Sequence, residues 1–178
     1  MTRKQLEHAI RAACEVSGDS EIWIFGSQAI LGQFPDAPED LRASIEVDVQ
    51  PKNRSVNMES IEAILGELSR FHQTHGFYVH ALPIEEAAVL PQGWEQRTIP
   101  VFDRELTSGN TGWCIEAHDL AASKLAAFRE KDRDFVRTLL VKKMIAIEVL
   151  IERINLLKID EELRERLLQW TQKTSEEL

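Results

Sequence analysis

Two carboxylates stand two residues apart in Ser44-Ile45-Glu46-Val47-Asp48-Val49, a run that alternates polar and apolar side chains. Such alternation predicts a strand over 43–49, and residues i and i+2 of a strand share a face. Glu46 and Asp48 then project side by side, with Ile45, Val47 and Val49 turned into a core. Adjacent carboxylates repel unless a cation lies between them, so the pair is a candidate site for a hard divalent metal. Upstream, the apolar run Ile22-Trp23-Ile24-Phe25 stops at Gly26-Ser27. A glycine there lets backbone N–H groups approach phosphate oxygens, and a helix beginning on the turn adds a favourable dipole. Together the carboxylate pair and the glycine turn make a candidate metal–phosphate site.

The elements that must carry these groups follow from periodicity. Leu6, Ala9, Ile10, Ala13 and Cys14 predict an amphipathic helix over 3–16, closed by Gly18. Residues 21–25 form a strand apolar on both faces, hence central in its sheet. A short helix over 27–34 follows the glycine turn. Ile61, Ile64, Leu65, Leu68 and Phe71 predict one helix from Met58 to about His72. Strands are predicted over 77–82, 97–102 and 113–115, with Pro100 placing its strand at an edge. From Asp119, read as an N-cap, the chain is helical: 120–130, a longer helix over 133–157 with Val136, Leu140, Met144, Ile147, Ile151 and Ile154 on one face, and 161–173 capped by Asp160. The expected fold class is α+β, a small mixed sheet flanked by helices over 1–116, followed by a C-terminal helical part over 117–178.

The chain has 178 residues and a net charge of −9, which argues against a general nucleic-acid coat. The charge is uneven. Residues 124–143 hold seven basic and three acidic side chains, so that this segment is +4 and the remainder −13. A local basic face on an acidic protein suits a polyanion such as a nucleotide or an RNA end, and equally a solvated helix face. Cys14 and Cys114 lie in apolar contexts without metal or pairing spacing, which fits a reduced, cytoplasmic setting. The N-terminus lacks an apolar signal core, and no apolar run reaches membrane-spanning length. His72, His75 and His80 fall on a helix end, a loop and a strand, an unpromising zinc set. Trp94 and Trp113, beside glycine turns, read as core plugs rather than stacking platforms.

Ile24-Phe25-Gly26-Ser27-Gln28-Ala29-Ile30 followed by Glu46-Val47-Asp48 resembles the signature of the DNA-polymerase-β-like nucleotidyltransferase superfamily. Asp119-Leu120-Ala121, Lys124-Leu125 and Arg129-Glu130-Lys131-Asp132-Arg133-Asp134 look like the downstream helical motif of its AbiEii-type bacterial branch, and so does Leu90-Pro91-x-Gly93-Trp94-x-x-Arg97. The resemblance implies a Mg2+- or Mn2+-dependent enzyme that moves a nucleoside monophosphate from a nucleoside triphosphate to a hydroxyl. It assigns Gly26 and Ser27 to phosphate and Glu46 and Asp48 to metal. Lys124 and Arg129 fall to nucleotide phosphate, and Asp132, with Asp134 as the other candidate, to the helix carboxylate. On one continuous helix, Lys124 and Asp132 would lie two turns and about 80° apart, and this helix is expected to form the far wall of the cleft.

Three features depart from the superfamily pattern. Glu46 stands where Asp is usual. The gap from Ser27 to Glu46 is 18 residues, longer than usual. His80 occupies the position in phase with a further carboxylate; it is a candidate base near the acceptor or a mark of weakened catalysis. Three functions therefore compete. One is a nucleotidyltransferase acting on a tRNA 3′ end or a protein hydroxyl, as a toxin–antitoxin or phage-defence component. Another is a catalytically weak protein of the same fold that binds a nucleotide or a protein partner. The third is a structural module that forms a homodimer through its C-terminal helices.

Overall fold

A computed structural model describes residues 1–177, the side chain of Ser55 excepted. Its elements run in chain order as α1 (Arg3–Ser17), β1 (Glu21–Phe25), a 3-10 turn (Ser27–Ala29), α2 (Ile30–Gln33), β2 (Glu46–Pro51), α3 (Met58–Leu65), α4 (Arg70–His75), β3 (Tyr78–Ala81), α5 (Ile84–Ala87), a 3-10 turn (Trp94–Arg97), β4 (Ile99–Phe102), β5 (Thr111–Cys114), α6 (Ala117–Ala127), α7 (Glu130–Val141), α8 (Ile147–Asn155) and α9 (Glu161–Glu176). They divide into two compact units. The first comprises Met1–Ala87 and Thr98–Ile115, and the second Ala88–Arg97 and Glu116–Leu178. The architecture is the expected mixed α/β one, with a five-stranded mixed sheet flanked by helices and a C-terminal helical region. Among the described residues, no helix is long and apolar enough to cross a membrane.

In the first unit the strand order is β3-β2-β1-β5-β4, so the apolar run at 21–25 is indeed central. β1 pairs antiparallel with β2 and parallel with β5, while β2 pairs parallel with β3 and β4 antiparallel with β5. Alternation sorts the side chains onto two faces. Ile22, Ile24, Val47, Val49, Val79, Ala81, Val101 and Cys114 are buried. The stripe Leu6, Ala9, Ile10, Ala13 and Cys14 of α1 is buried as well, and α1 and α3 both contact the sheet. The other face carries Trp23, Glu46, Asp48, Gln50, Tyr78, His80 and Trp113, all half-buried. Trp113 is therefore not a core plug. Its indole N–H donates to Glu21 at 2.8 Å, and the Lys52 ammonium lies 4.7 Å from its ring and 4.8 Å from that of Trp23.

Several local expectations give way. β2 begins at Glu46 rather than residue 43, which leaves Ile45 exposed instead of in the core. The helix expected over 58–72 breaks after Leu65. Gly66 closes α3, Leu68 takes a positive φ and is 78% exposed, and the Ser69 hydroxyl caps α4 by accepting from the His72 N–H. An apolar stripe tolerates such a break, because a backbone turn can stand in for one turn of helix without losing the buried residues Ile61 and Leu65.

In the second unit the expected long helix is two, α7 and α8, separated by a turn in which Lys143 takes a positive φ. The break resets the helical phase: Ile145, Leu150, Ile154 and Leu157 are buried, while Met144, Ile147 and Ile151 are only half-buried. Asp160 caps α9 by accepting from the Leu163 N–H, as its type predicts. Asp119, by contrast, is not a cap. Glu116 caps α6, accepting from the His118 and Asp119 N–H groups, and Asp119 is buried within the first turn. There it meets Arg97 in two hydrogen bonds of 2.8 and 3.0 Å, and the Arg153 guanidinium lies 3.0 Å away. Arg97 also donates to the carbonyl of Gln92, and the Gln92 N–H donates to the Leu156 carbonyl. The Leu90-Pro91-x-Gly93-Trp94-x-x-Arg97 stretch is thus fastened to the helices through one buried carboxylate.

Candidate active site

Sheet register assembles the first group of residues. Asp48 lies at the centre of a three-strand row: its partner on β1 is Phe25, the residue before Gly26, and its partner on β3 is His80. Glu46, two residues earlier on the same face, pairs with Tyr78. The His80 Nδ1 atom lies 2.8 Å from Glu46 Oε1 and 3.2 Å from Asp48 Oδ1. Among the described residues these three form the group able to offer ligand atoms to one metal ion, all within 4.8 Å of one another. Glu62 of α3 joins them from outside the strands. Its Oε1 accepts the Ala81 N–H at 2.6 Å and lies 3.9 Å from His80 Nε2.

The glycine turn abuts the same carboxylate. Gly26 has φ 65° and ψ −171°, a region open almost only to glycine. A Cβ added there would lie 2.0 Å from Asp48 Oδ2, so the carboxylate is seated against the glycine Cα. Both facts make the residue type obligatory, one through torsion and the other through space. Gly26→Ala is expected to cost about 1–3 kcal/mol from the torsion alone and to push the Asp48 side chain off its position. Urea unfolding checks the first effect, and Mn2+ titration of the folded variant the second. The helix beyond the turn is shorter than the sequence suggests, a 3-10 turn over Ser27–Ala29 followed by four residues of α2. Its dipole is correspondingly small. Gln28 is buried, and among the described residues neither its amide nitrogen nor its amide oxygen has a hydrogen-bond partner.

Burial and like charge both act on the carboxylate pair. Burial pushes the Asp48 carboxyl up to about 6, the neighbouring Glu46 charge adds to this, and His80 opposes it. The Tyr78 phenol is raised too, first by burial and then by Glu46. The donor set passes a simple geometric test. Metal–ligand bonds of about 2.1 Å at right angles place neighbouring ligand atoms about 3 Å apart; the two His80 Nδ1 separations meet that spacing, and they are equally those of Nδ1–H hydrogen bonds to the carboxylates.

The second group lies in the other unit. Lys124 is on α6 and Asp132 on α7, with Phe128 in a left-handed conformation between the two helices. The break replaces the offset of a continuous helix with contact: Lys124 Nζ is 3.4 Å from Asp132 Oδ1, and Arg129 Nε is 2.6 Å from Asp132 Oδ2. The Lys124 ammonium also sits over the Phe135 ring at 4.6 Å. Burial lowers the Lys124 pKa, against the pull of Asp132. Asp132 is only 1% exposed, whereas Asp134, the alternative carboxylate, is exposed. Gly26, Ser27, Glu46, Asp48 and His80 thus cluster within the first unit, and Lys124, Arg129 and Asp132 within the second.

A family model described as "Nucleotidyltransferase of unknown function (DUF6036)" matches residues 4–177, nearly the whole chain. The chain belongs to the DUF6036 nucleotidyltransferase family. No curated protein and no solved structure matches it. The strand carboxylates and the glycine turn of this DUF6036 chain fall inside the matched span. Sequence reading missed Glu62, Tyr78 and Gln28. Glu62 sits on a helix whose apolar spacing says nothing about its polar neighbours, and only the packing of α3 beside β3 brings it to His80.

Proposed function

We propose that this chain transfers a nucleoside monophosphate from a nucleoside triphosphate to a hydroxyl acceptor, with the first unit as its metal and phosphate centre. The observation that carries the reading is the seat of Asp48. One carboxylate lies at once against the Gly26 turn and beside Glu46 and His80, so that a cation held by the carboxylates adjoins phosphate held at Gly26 and Ser27. Glu46 and Asp48 would hold Mg2+ or Mn2+, which when bound supplies charge neutralisation and orientation for the phosphates. In the transfer the acceptor oxygen bonds to the α-phosphorus, pyrophosphate leaves with the electrons of the broken P–O bond, and the acceptor proton passes to a base or to water. Lys124 and Arg129 are assigned to phosphate, Lys124 by exchanging its Asp132 partner for the ligand. The surplus of basic residues at 124–143 favours RNA, such as a tRNA 3′ end, over a protein hydroxyl. The AbiEii-like motifs favour a cytoplasmic toxin–antitoxin or phage-defence component, and homodimerisation through the C-terminal helices is a further expectation that light scattering tests.

A second reading, a nucleotide- or partner-binding protein with weak catalysis, is favoured by one observation. His80 Nδ1 bridges both carboxylates, and an imidazolium there would do the work of a cation without catalysing anything. The two are separated by incubating the chain with labelled nucleoside triphosphates, Mg2+ or Mn2+ and total RNA or lysate, beside Ser27→Ala. Transfer of label that is lost in the variant supports the enzyme. Thermal stabilisation by nucleotide without transfer supports the binding protein, and no response to any nucleotide overturns both.

The raised Asp48 carboxyl makes metal binding pH-dependent. Its folded pKa of about 6 exceeds the ordinary value of 3.8, so in the metal-free chain the associated stability is present at acid pH and lost as pH rises through 6. Metal binding runs the other way, because the proton competes for the same oxygens. Mn2+ affinity measured by calorimetry is expected to be constant above pH 7 and to fall up to about tenfold per pH unit below 6.

A further inference from the structure

We propose that His80, oriented by Glu62, is a third ligand of the metal, and that the centre therefore takes a transition-series divalent cation such as Mn2+ in preference to Mg2+. The proposal rests on the reading above that Glu46 and Asp48 bind a divalent cation. Two independent features of the imidazole point to it. Nδ1 faces the two carboxylates at 2.8 and 3.2 Å, close to the spacing of neighbouring ligand atoms around one ion. The other nitrogen faces a different carboxylate: Nε2 is 3.9 Å from Glu62 Oε1. Without a metal the two nearer carboxylates hold the ring proton on Nδ1; a cation entering between them would displace that proton, and the Glu62 charge would then favour the tautomer protonated on Nε2, with the Nδ1 lone pair left to bind the ion. Metal-bound histidines recurrently have a carboxylate behind the non-ligating nitrogen, which fixes tautomer and ring orientation.

Neither carboxylate–histidine relation depends on a loop. β2 and β3 pair directly, with Asp48 opposite His80, so the Nδ1 side is set by sheet register. Glu62 is pinned by the N–H of Ala81, the residue after His80, so the Nε2 side is set by the packing of α3 against the same strand. The donor set is then two carboxylates and one neutral imidazole. Magnesium favours oxygen ligands and retains its waters, whereas imidazole raises the affinity of Mn2+, Co2+ and Zn2+ more than that of Mg2+. The rival role for His80 is that of a proton-bearing counter-ion between the carboxylates, and it makes the opposite prediction: removing the ring would free the site for metal.

The test is metal binding by the full-length chain without nucleotide. Mn2+ and Mg2+ are titrated by calorimetry, and bound Mn2+ is examined by pulsed electron paramagnetic resonance for a directly coordinated nitrogen. In the unmodified chain Mn2+ is expected to bind at least tenfold more tightly than Mg2+, with the nitrogen signal present. His80→Ala should weaken Mn2+ by about 10- to 100-fold, change Mg2+ less than threefold, and abolish the nitrogen signal. Glu62→Gln should weaken Mn2+ while keeping that signal, and His80→Asp should reverse the preference towards Mg2+. Unchanged or tighter Mn2+ binding by folded His80→Ala, or an absent nitrogen signal in the unmodified chain, overturns the proposal and leaves the carboxylate site standing. If the unmodified chain binds neither metal, or Asp48→Asn binds both as well as the unmodified chain, the underlying metal reading falls with it.

Discussion

Asp48→Asn is expected to reduce nucleotidyl transfer by at least a thousandfold and, in the metal-free chain at pH 7, to raise rather than lower the unfolding midpoint. The two effects have one origin. At neutral pH the Asp48 carboxylate is ionised against burial and against the Glu46 charge, both of which oppose ionisation. An amide of the same size removes that opposition, so the chain without metal is relieved. The same amide removes an anionic oxygen from the place where metal and phosphate are proposed to meet, and catalysis that depends on positioned charge loses most of its advantage. Thermal melts at pH 5 and pH 7 give the control. The stabilising effect of Asn should shrink at pH 5, where the proton already neutralises Asp48. A variant that melts lower at pH 7, or transfers label at the unmodified rate, contradicts this account of the site.

Asp119→Ala is expected to have the largest effect on stability, about 3–5 kcal/mol, with the loss confined at first to the second unit. The Asp119 side chain has no exposure, and it is the shared anion of Arg97 and Arg153. Truncation leaves two guanidinium groups in a partly buried setting without their counter-charge, and it opens a void inside α6. The Nε of Arg153 has no aligned hydrogen bond although it lies 3.0 Å from the carboxylate, so that arm is held by charge alone. It should fail first. Arg153→Met should accordingly cost less than Arg97→Met, since Arg97 makes two direct bonds to Asp119 and a third to the Gln92 carbonyl. Urea unfolding monitored by hydrogen exchange in 88–97 and α6 measures the order.

The behaviour of Asp119 shows where reading along the chain loses information. An aspartate before an apolar run has the type of a helix cap, and type and position are all that a sequence displays. The actual cap is Glu116, three residues earlier, because its carboxylate reaches the N–H groups of His118 and Asp119. The helix breaks at Gly66 to Leu68 and at Lys143 share this property. Their apolar neighbours keep helical spacing across the break, and only Gly66 belongs to a residue type that announces one. At Phe128 the break falls near the boundary expected between the helices over 120–130 and 133–157, and it brings Lys124 and Asp132 into contact.

What the amino-acid sequence determined by itself was whatever depends on local periodicity and residue type. Alternation placed Glu46 and Asp48 on one face of a strand, and the apolar run before Gly26 made β1 central. The glycine was required where the chain turns, and Asp160 capped the last helix. These are short-range consequences of backbone geometry, legible within a few residues. Tertiary structure alone decided which of these pieces meet. Register between β1, β2 and β3 put the Gly26 turn and His80 on opposite sides of Asp48, and the packing of α3 brought Glu62 behind the imidazole. Burial, which no single residue carries, raised the Asp48 carboxyl, and the neighbouring Glu46 charge added to it. Pairing between strands distant in sequence is chosen by the whole core at once, so the chemistry of Glu46, Asp48 and His80 is written only in the folded chain.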